Sequence, residues 1–279
     1  MKKLPDIDVT AHFAELNHEL IQLLKRLNSE QWYLRTSSGK WNVKDIVAHL
    51  LDGDLRRLSF QRDNHRPPVP EQPITDYNSL VRYLNRLNDT WSEAAQRLSP
   101  PVLIELIVYS GEKLGRLFNT LNPKDEAIFS VLWAGEEKSA NWFDMAREYT
   151  EKWYHQQQIR EAVAAPLLTS EYWLFPVLDT FMRGLPNIYN KQHNLQIYKE
   201  VSVRIAGEAG GEWLLINKNG WQLYHGFNPN SDSIVELSDD TAWRMFTKNI
   251  SAPEALSRIM IKGDMGLGET VCKLTSLMK

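Results

Sequence analysis

The feature that most constrains this chain is a change of hydrophobic period near Tyr189. Before it, apolar residues recur every three or four positions, the spacing of one helix face. Beyond it they alternate with polar ones, as on a half-buried strand. Phe13, Leu16, Leu20, Leu23, Leu24 and Leu27 form one stripe and predict a helix over 9–28. Val43, Ile46, Val47, Leu50, Leu51, Leu55 and Leu58 form a second stripe. Asn42 opens that helix as N-cap, with Asp45 three positions on in a variant of the capping box. The run RPPVPEQP, residues 66–73, reads as a rigid loop. A third helix is predicted over 76–98, burying Leu80, Leu84, Leu87, Trp91 and Leu98, and a fourth over 102–121 behind Pro100 and Pro101. A fifth, over 141–162, repeats the cap pattern with Asn141 and Asp144 and carries an aromatic stripe of Trp142, Met145, Tyr149 and Trp153. A sixth, over 170–183, stops at Gly184 and Pro186.

After the switch, Val201, Val203 and Ile205 alternate with Ser202, Arg204 and Ala206. Further strands are predicted over 212–217, 221–225, 233–237 and 258–261, with helices over 239–248 and 267–278. Asn219-Gly220 signals a type I′ hairpin turn. Two domains follow: a helical one over 1–185 and a smaller α+β one, an antiparallel sheet with helices, over 186–279.

A formal net charge of −3 argues against nucleic acid or an anionic membrane surface as the main partner. No apolar run approaches the ~20 residues of a membrane span. The start, MKKLPDIDVT, lacks the apolar segment of a signal peptide, so a cytoplasmic protein is expected. A single cysteine, Cys272, allows neither an internal disulfide nor a Cys-cluster metal site.

The chemistry rests on Glu151 and His155. Four residues apart on a helix, they stand one above the other and can close on one metal ion. His49 is the candidate third ligand, with Asp45 and Asp52 as acceptors for its outer ring nitrogen. All three ligand positions lie off their helices' apolar stripes, so they face either solvent or a polar pocket. Arg160, beyond His155, is a candidate to hold a substrate carboxylate; the alternative is an exposed helix-end cation. Arg244 is a weaker candidate for the same role. His12, His18, His65, His193 and His225 show no ligand spacing, and Trp41, beside the His49 helix, could wall the pocket.

The segment KWNVKDIVAHLLDGDLRR, residues 40–57, resembles the helix that carries the first metal-binding histidine in the DinB/YfiT-like superfamily. It is especially similar to the mycothiol-dependent maleylpyruvate isomerase branch. REYTEKWYHQQQIREA, residues 147–162, resembles the later helix whose Glu-x-x-x-His supplies the other two ligands. IKGDMGLGETVCKL, residues 261–274, is similar to the closing strand and helix of that branch's second domain. The resemblance implies a DinB-like four-helix-bundle metal domain followed by a sterol-carrier-protein-like α+β domain. It places His49, Glu151 and His155 on the metal ligands. It also implies a divalent metal (zinc first, with nickel or iron as alternatives) and an exogenous low-molecular-weight thiol such as mycothiol or bacillithiol.

The expected function is then thiol S-transfer to, or cis–trans isomerisation of, a small electrophilic substrate. A metal-dependent hydrolase and a non-catalytic carrier of small apolar ligands are the alternatives. The branch carries an Arg near the end of the short helix of its second domain, where this chain has Lys248. Lys cannot reproduce bidentate carboxylate recognition, which points away from maleylpyruvate itself.

Overall fold

The computed structural model describes residues 2–65, 73, 75, 77–193 and 197–274. Five long helices come first: α1 (Thr10–Leu24), α2 (Val43–Arg57), α3 (Tyr77–Ala95), α4 (Pro100–Thr120) and α5 (Asn141–Ala162). α1 packs on α4 and α5, and α2 packs on α4 and α5, so these four make a bundle; α3 lies against α2 from outside. α6 (Glu171–Met182) and α7 (Leu185–Gln192) lead to the sheet, built from β1 (Lys2–Lys3), β2 (Lys199–Ala206), β3 (Gly211–Asn217), β4 (Trp221–His225), β5 (Ser233–Ser238) and β6 (Met260–Gly263). α8 (Asp239–Phe246) and α9 (Ala252–Ser257) separate β5 from β6, and α10 (Met265–Glu269) runs into a 3-10 turn, Thr270–Lys273.

The periodicities set this outcome. The stripe of α1 buries Phe13, Leu16, Leu20 and Leu24. In α5, Met145, Tyr149 and Trp153 are buried. α5 is covered on almost every side, however, and buries Asp144, Gln156, Gln157, Gln158 and Arg160 as well. A helix so enclosed cannot leave its polar groups to water, so each needs a partner inside.

Several details depart from the sequence expectation. The sheet order is β1-β4-β3-β2-β5-β6, and β2 pairs with β5 in parallel, whereas an antiparallel sheet is expected. α6 stops before Gly184 as expected, but a further helix, α7, follows at once, with Pro186 in its first turn, where its missing N–H costs nothing. β3 and β4 form the expected hairpin, with Asn217 opposite Trp221. Its turn is not type I′, because among the loop residues only Gly220 takes a positive φ, 113°. Asn141 does not cap α5: the N-cap position is Ala140 and makes no side-chain bond. β1 and α9 carry too few residues to show a period. The loop expected over 66–73 lies almost wholly outside the described residues, as do Leu80's side chain and the end of the closing helix.

One hydrophobic core crosses the expected 185/186 boundary, joining Phe13, Tyr149 and Trp153 of the bundle to Trp213, Trp243 and Phe246. Trp153 meets Trp243 edge to face at 5.5 Å between ring centroids. The Trp213 indole N–H donates to Asp179 Oδ1 at 2.9 Å, tying β3 to α6. A second core, with Leu24, Val47, Leu51 and Ile107, fills the other end of the bundle. Among the described residues no helix is long and apolar enough to cross a membrane.

Candidate metal centre

α2 is placed by its cap. The Asn42 side chain accepts from the Asp45 N–H and Asp45 Oδ2 accepts from the Asn42 N–H, each at 3.0 Å. This box fixes where the first turn starts, and His49 then falls two turns in, off the face that buries Ile46 and Leu50. α5 brings Glu151 and His155 to the opposing surface. The His49 and His155 rings meet nearly perpendicular, with centroids 4.8 Å apart. Trp41, just before the cap, lies 4.7 Å from the His49 ring and 6.3 Å from that of His155. His155 Nε2 stands 3.8 Å from Glu151 Oε2, and its Nδ1 is 2.8 Å from Gln158 Oε1.

The two imidazoles therefore face each other between α2 and α5, with Glu151 at the more open edge. The His155 side chain is 12% exposed and that of Glu151 30%. Two donors on one tetrahedral ion at ~2.1 Å stand about 3.4 Å apart, close to the Glu151–His155 separation. Among the described residues, however, no three His, Cys, Asp or Glu side chains yet converge on a common point. The set is gathered but not closed.

Electrostatics favour the ligating form of the two histidines, and leave the Glu151 carboxyl easy to protonate until a cation binds. Burial holds the His49 imidazole well below its ordinary pKa, helped by His155 and Arg56. Burial likewise takes His155 down to about 4. Both are neutral near pH 7, the state in which a ring nitrogen keeps a lone pair. Glu151 is pushed up to about 7, by burial first; Arg147 opposes the rise and Glu148 adds to it. Two neutral imidazoles and a carboxylate with little compensation match the donor set of a catalytic zinc-type site.

Other expectations are displaced. Asp45 is taken by the capping box and by Gln96 Nε2 at 2.7 Å, and Asp52 by Arg56 at 2.9 Å, so neither is the bonded neighbour of His49. Arg160 lies five residues past His155, about 140° round the helix. Its guanidinium donates to Pro166 O at 2.8 Å and Glu19 Oε2 at 2.9 Å, so it is neither an exposed helix-end cation nor on the His155 side. Arg244 pairs with Glu161 at 2.7 Å and clamps α8 to α5. Cys272 is half-buried, and burial pushes its thiol up to about 11. His12 stacks on Tyr172 at 4.2 Å, and His193 bonds Thr270 Oγ1 at 2.7 Å.

Sequence reasoning missed Gln158, whose only signal is its i+3 spacing from His155 on one helix face. It also missed the neighbouring ion-pair cluster. Arg57, 2% exposed, bonds Asp144 at 2.5 Å and Glu148 at 3.1 Å. Asp144 thus neutralises a buried guanidinium, the role its resemblance to a capping residue concealed.

The family described as the mycothiol maleylpyruvate isomerase N-terminal domain matches residues 13–160, just over half of the chain. Among solved structures, the mycothiol-dependent maleylpyruvate isomerase aligns at 11% identity over 88% of this chain and 91% of its own, with a TM-score of 0.51. A histidine-to-alanine mutant of that enzyme aligns at 10% identity over 95% and 98%, with a TM-score of 0.55. At such identity these two show a shared fold, extending over both the bundle and the sheet. No curated protein matches the chain.

Proposed function

The chain belongs to the mycothiol maleylpyruvate isomerase N-terminal domain family, and from that premise we propose that it is a metal- and thiol-dependent enzyme acting on a small electrophile. His49, Glu151 and His155 are the residues that would hold a divalent cation. The observation carrying this reading is the meeting of two neutral imidazoles, 4.8 Å between centroids, beside a carboxylate whose charge is poorly compensated. A bound cation of this kind supplies Lewis acidity that favours the thiolate form of a thiol near it.

The chain's own groups do the rest. His49 and His155 offer lone pairs, Glu151 offers negative charge, and Trp41 lies beside both imidazole rings. The thiol is exogenous, because Cys272 sits in the closing 3-10 turn with a raised pKa. Addition of its sulfur to one carbon of a conjugated cis double bond turns that bond into a single bond. Rotation and expulsion of the same thiolate return a trans double bond and the unchanged thiol. The isomerisation is redox-neutral, and the thiol is a cofactor and not a substrate. With a substrate that carries a leaving group, the same attack ends in S-transfer.

The test is elemental analysis of protein purified without an affinity tag, beside His155→Ala, followed by turnover assays with and without thiol. About one equivalent of divalent metal, lost in the variant, and turnover only with thiol are expected. Turnover without thiol would move the reading to hydrolysis. No uptake of zinc, nickel or iron by the native protein would end it.

A further inference from the structure

His155 has two ring nitrogens, and only the one facing Glu151 and His49 can serve the site. Which nitrogen carries the proton depends on what the other one meets. Nδ1 meets Gln158 Oε1 at 2.8 Å, and Gln158 is itself 2% exposed. One turn back on the same face is Tyr154, also buried. Its hydroxyl closes no hydrogen bond here, and its polar side-chain neighbours include Gln158 and Thr247. Thr247 ends α8 and is fully buried; its hydroxyl donates to the Trp243 carbonyl at 2.8 Å.

Of the two directions these groups allow, one makes the larger number of hydrogen bonds. A carbonyl only accepts, so the Thr247 proton is committed to Trp243 and its oxygen is left as acceptor. Tyr154 O–H can then donate to Thr247, and the Tyr154 oxygen can accept from the Gln158 amide N–H₂. That turns Gln158 Oε1 toward His155, where it takes the Nδ1 proton and leaves the Nε2 lone pair free. The opposite orientation of the Gln158 amide would set N–H₂ against Nδ1, put the ring proton on Nε2 and disable the ligand.

We propose that Gln158 is the positioning residue that fixes His155 with its proton on Nδ1, and that Tyr154 and Thr247 set the Gln158 amide from the second half of the chain. The proposal deepens the metal-site reading and rests on it for its purpose, but the tautomer itself does not depend on any metal. It also gives the buried Tyr154 hydroxyl a role, and it explains why α8, which belongs to the sheet half, bears on a histidine of the bundle.

The tautomer is read by ¹⁵N-histidine NMR on the metal-free full-length protein at neutral pH, and zinc affinity by competition with a chelator. Wild type should show His155 protonated on Nδ1. Gln158→Leu should shift it toward the Nε2–H form and weaken zinc binding about 10–100-fold, the usual cost of losing an outer partner of a ligating histidine. Gln158→Glu, which keeps an acceptor for Nδ1–H, should restore both. Thr247→Val, distant from the ring, should give the same tautomer shift in smaller degree and guards against a Gln158→Leu variant that fails to fold. A wild-type His155 protonated on Nε2, or a Gln158→Leu protein with unchanged tautomer and zinc affinity, overturns the proposal. Wild type that shows the Nδ1–H form yet takes up no divalent metal supports the positioning role and overturns only the metal function.

Discussion

Two polar clusters lie side by side on the same pair of helices, and they differ in how their charges are met. In one, Arg57 of α2 bonds Asp144 and Glu148 of α5, Arg147 joins both carboxylates, and Lys152 pairs with Asp54, which also accepts from Ser110. Every charge there has an opposite one within contact. In the other, His49 and His155 are neutral because burial makes their cationic forms costly, and Glu151 is left with a raised pKa. Closed networks of the first kind hold helices in register. An open set of the second kind stabilises nothing by itself, and it persists beside a closed one because the closed one keeps α2 and α5 where they are.

The sharpest way to break this contrast is Arg57→Met. It leaves Asp144 and Glu148 buried without their main cation and should destabilise the protein by about 3–5 kcal/mol in urea unfolding. A loss below ~1 kcal/mol would show that the cluster is not closed as described. The open set should behave oppositely. His49→Ala should barely alter the metal-free protein, whereas zinc at a hundredfold its Kd should stabilise wild type by about 2.7 kcal/mol and the variant not at all. Equal stabilisation of both proteins would place the ion elsewhere.

Acid should act on the closed cluster. Burial raises the Glu148 pKa, but Arg57, then Arg147 and Lys152, more than reverse this and hold it below the ordinary carboxylate range. Its folded pKa therefore lies below the unfolded value of ~4.3, so the unfolded state binds more protons in acid. The stability it contributes is present above that value and is lost as pH falls below it. The urea midpoint should drop in this window for wild type and drop less for Arg57→Met; parallel curves would remove Glu148 as the cause. The smallest effect belongs to Glu151→Gln. Replacing a carboxylate whose charged form burial disfavours should change metal-free stability by within about 1 kcal/mol, on the stabilising side. A clear loss would mean that Glu151 has a structural partner.

Much of the local structure was legible. The capping box at Asn42 and Asp45 formed as the spacing implies, and the alternation over Val201–Ile205 became the centre of β2. The Asn141–Asp144 repeat misled because the same residue types serve two purposes. At Asn42 the side chain finds a free backbone N–H, whereas Asp144 finds a buried guanidinium from a segment 87 residues away, a stronger claim on a carboxylate. Arg160 misled through the wheel. One turn and a half beyond His155 reads as near in sequence, yet it turns the side chain toward Glu19 on α1.

The sequence by itself determined the helical first half, the switch to strands and which residue types could ligate an ion, because period and chemistry are local properties. Tertiary structure decided that His49 and His155 meet, that β2 pairs in parallel with β5, and that Thr247 of the sheet half comes beside Tyr154 of α5. The meeting of the two histidines depends on which helix face α5 turns to α2 and which to α8. That choice is made by packing Trp153 against Trp243 and by closing the Arg57 cluster, contacts between residues about ninety positions apart that no local pattern encodes.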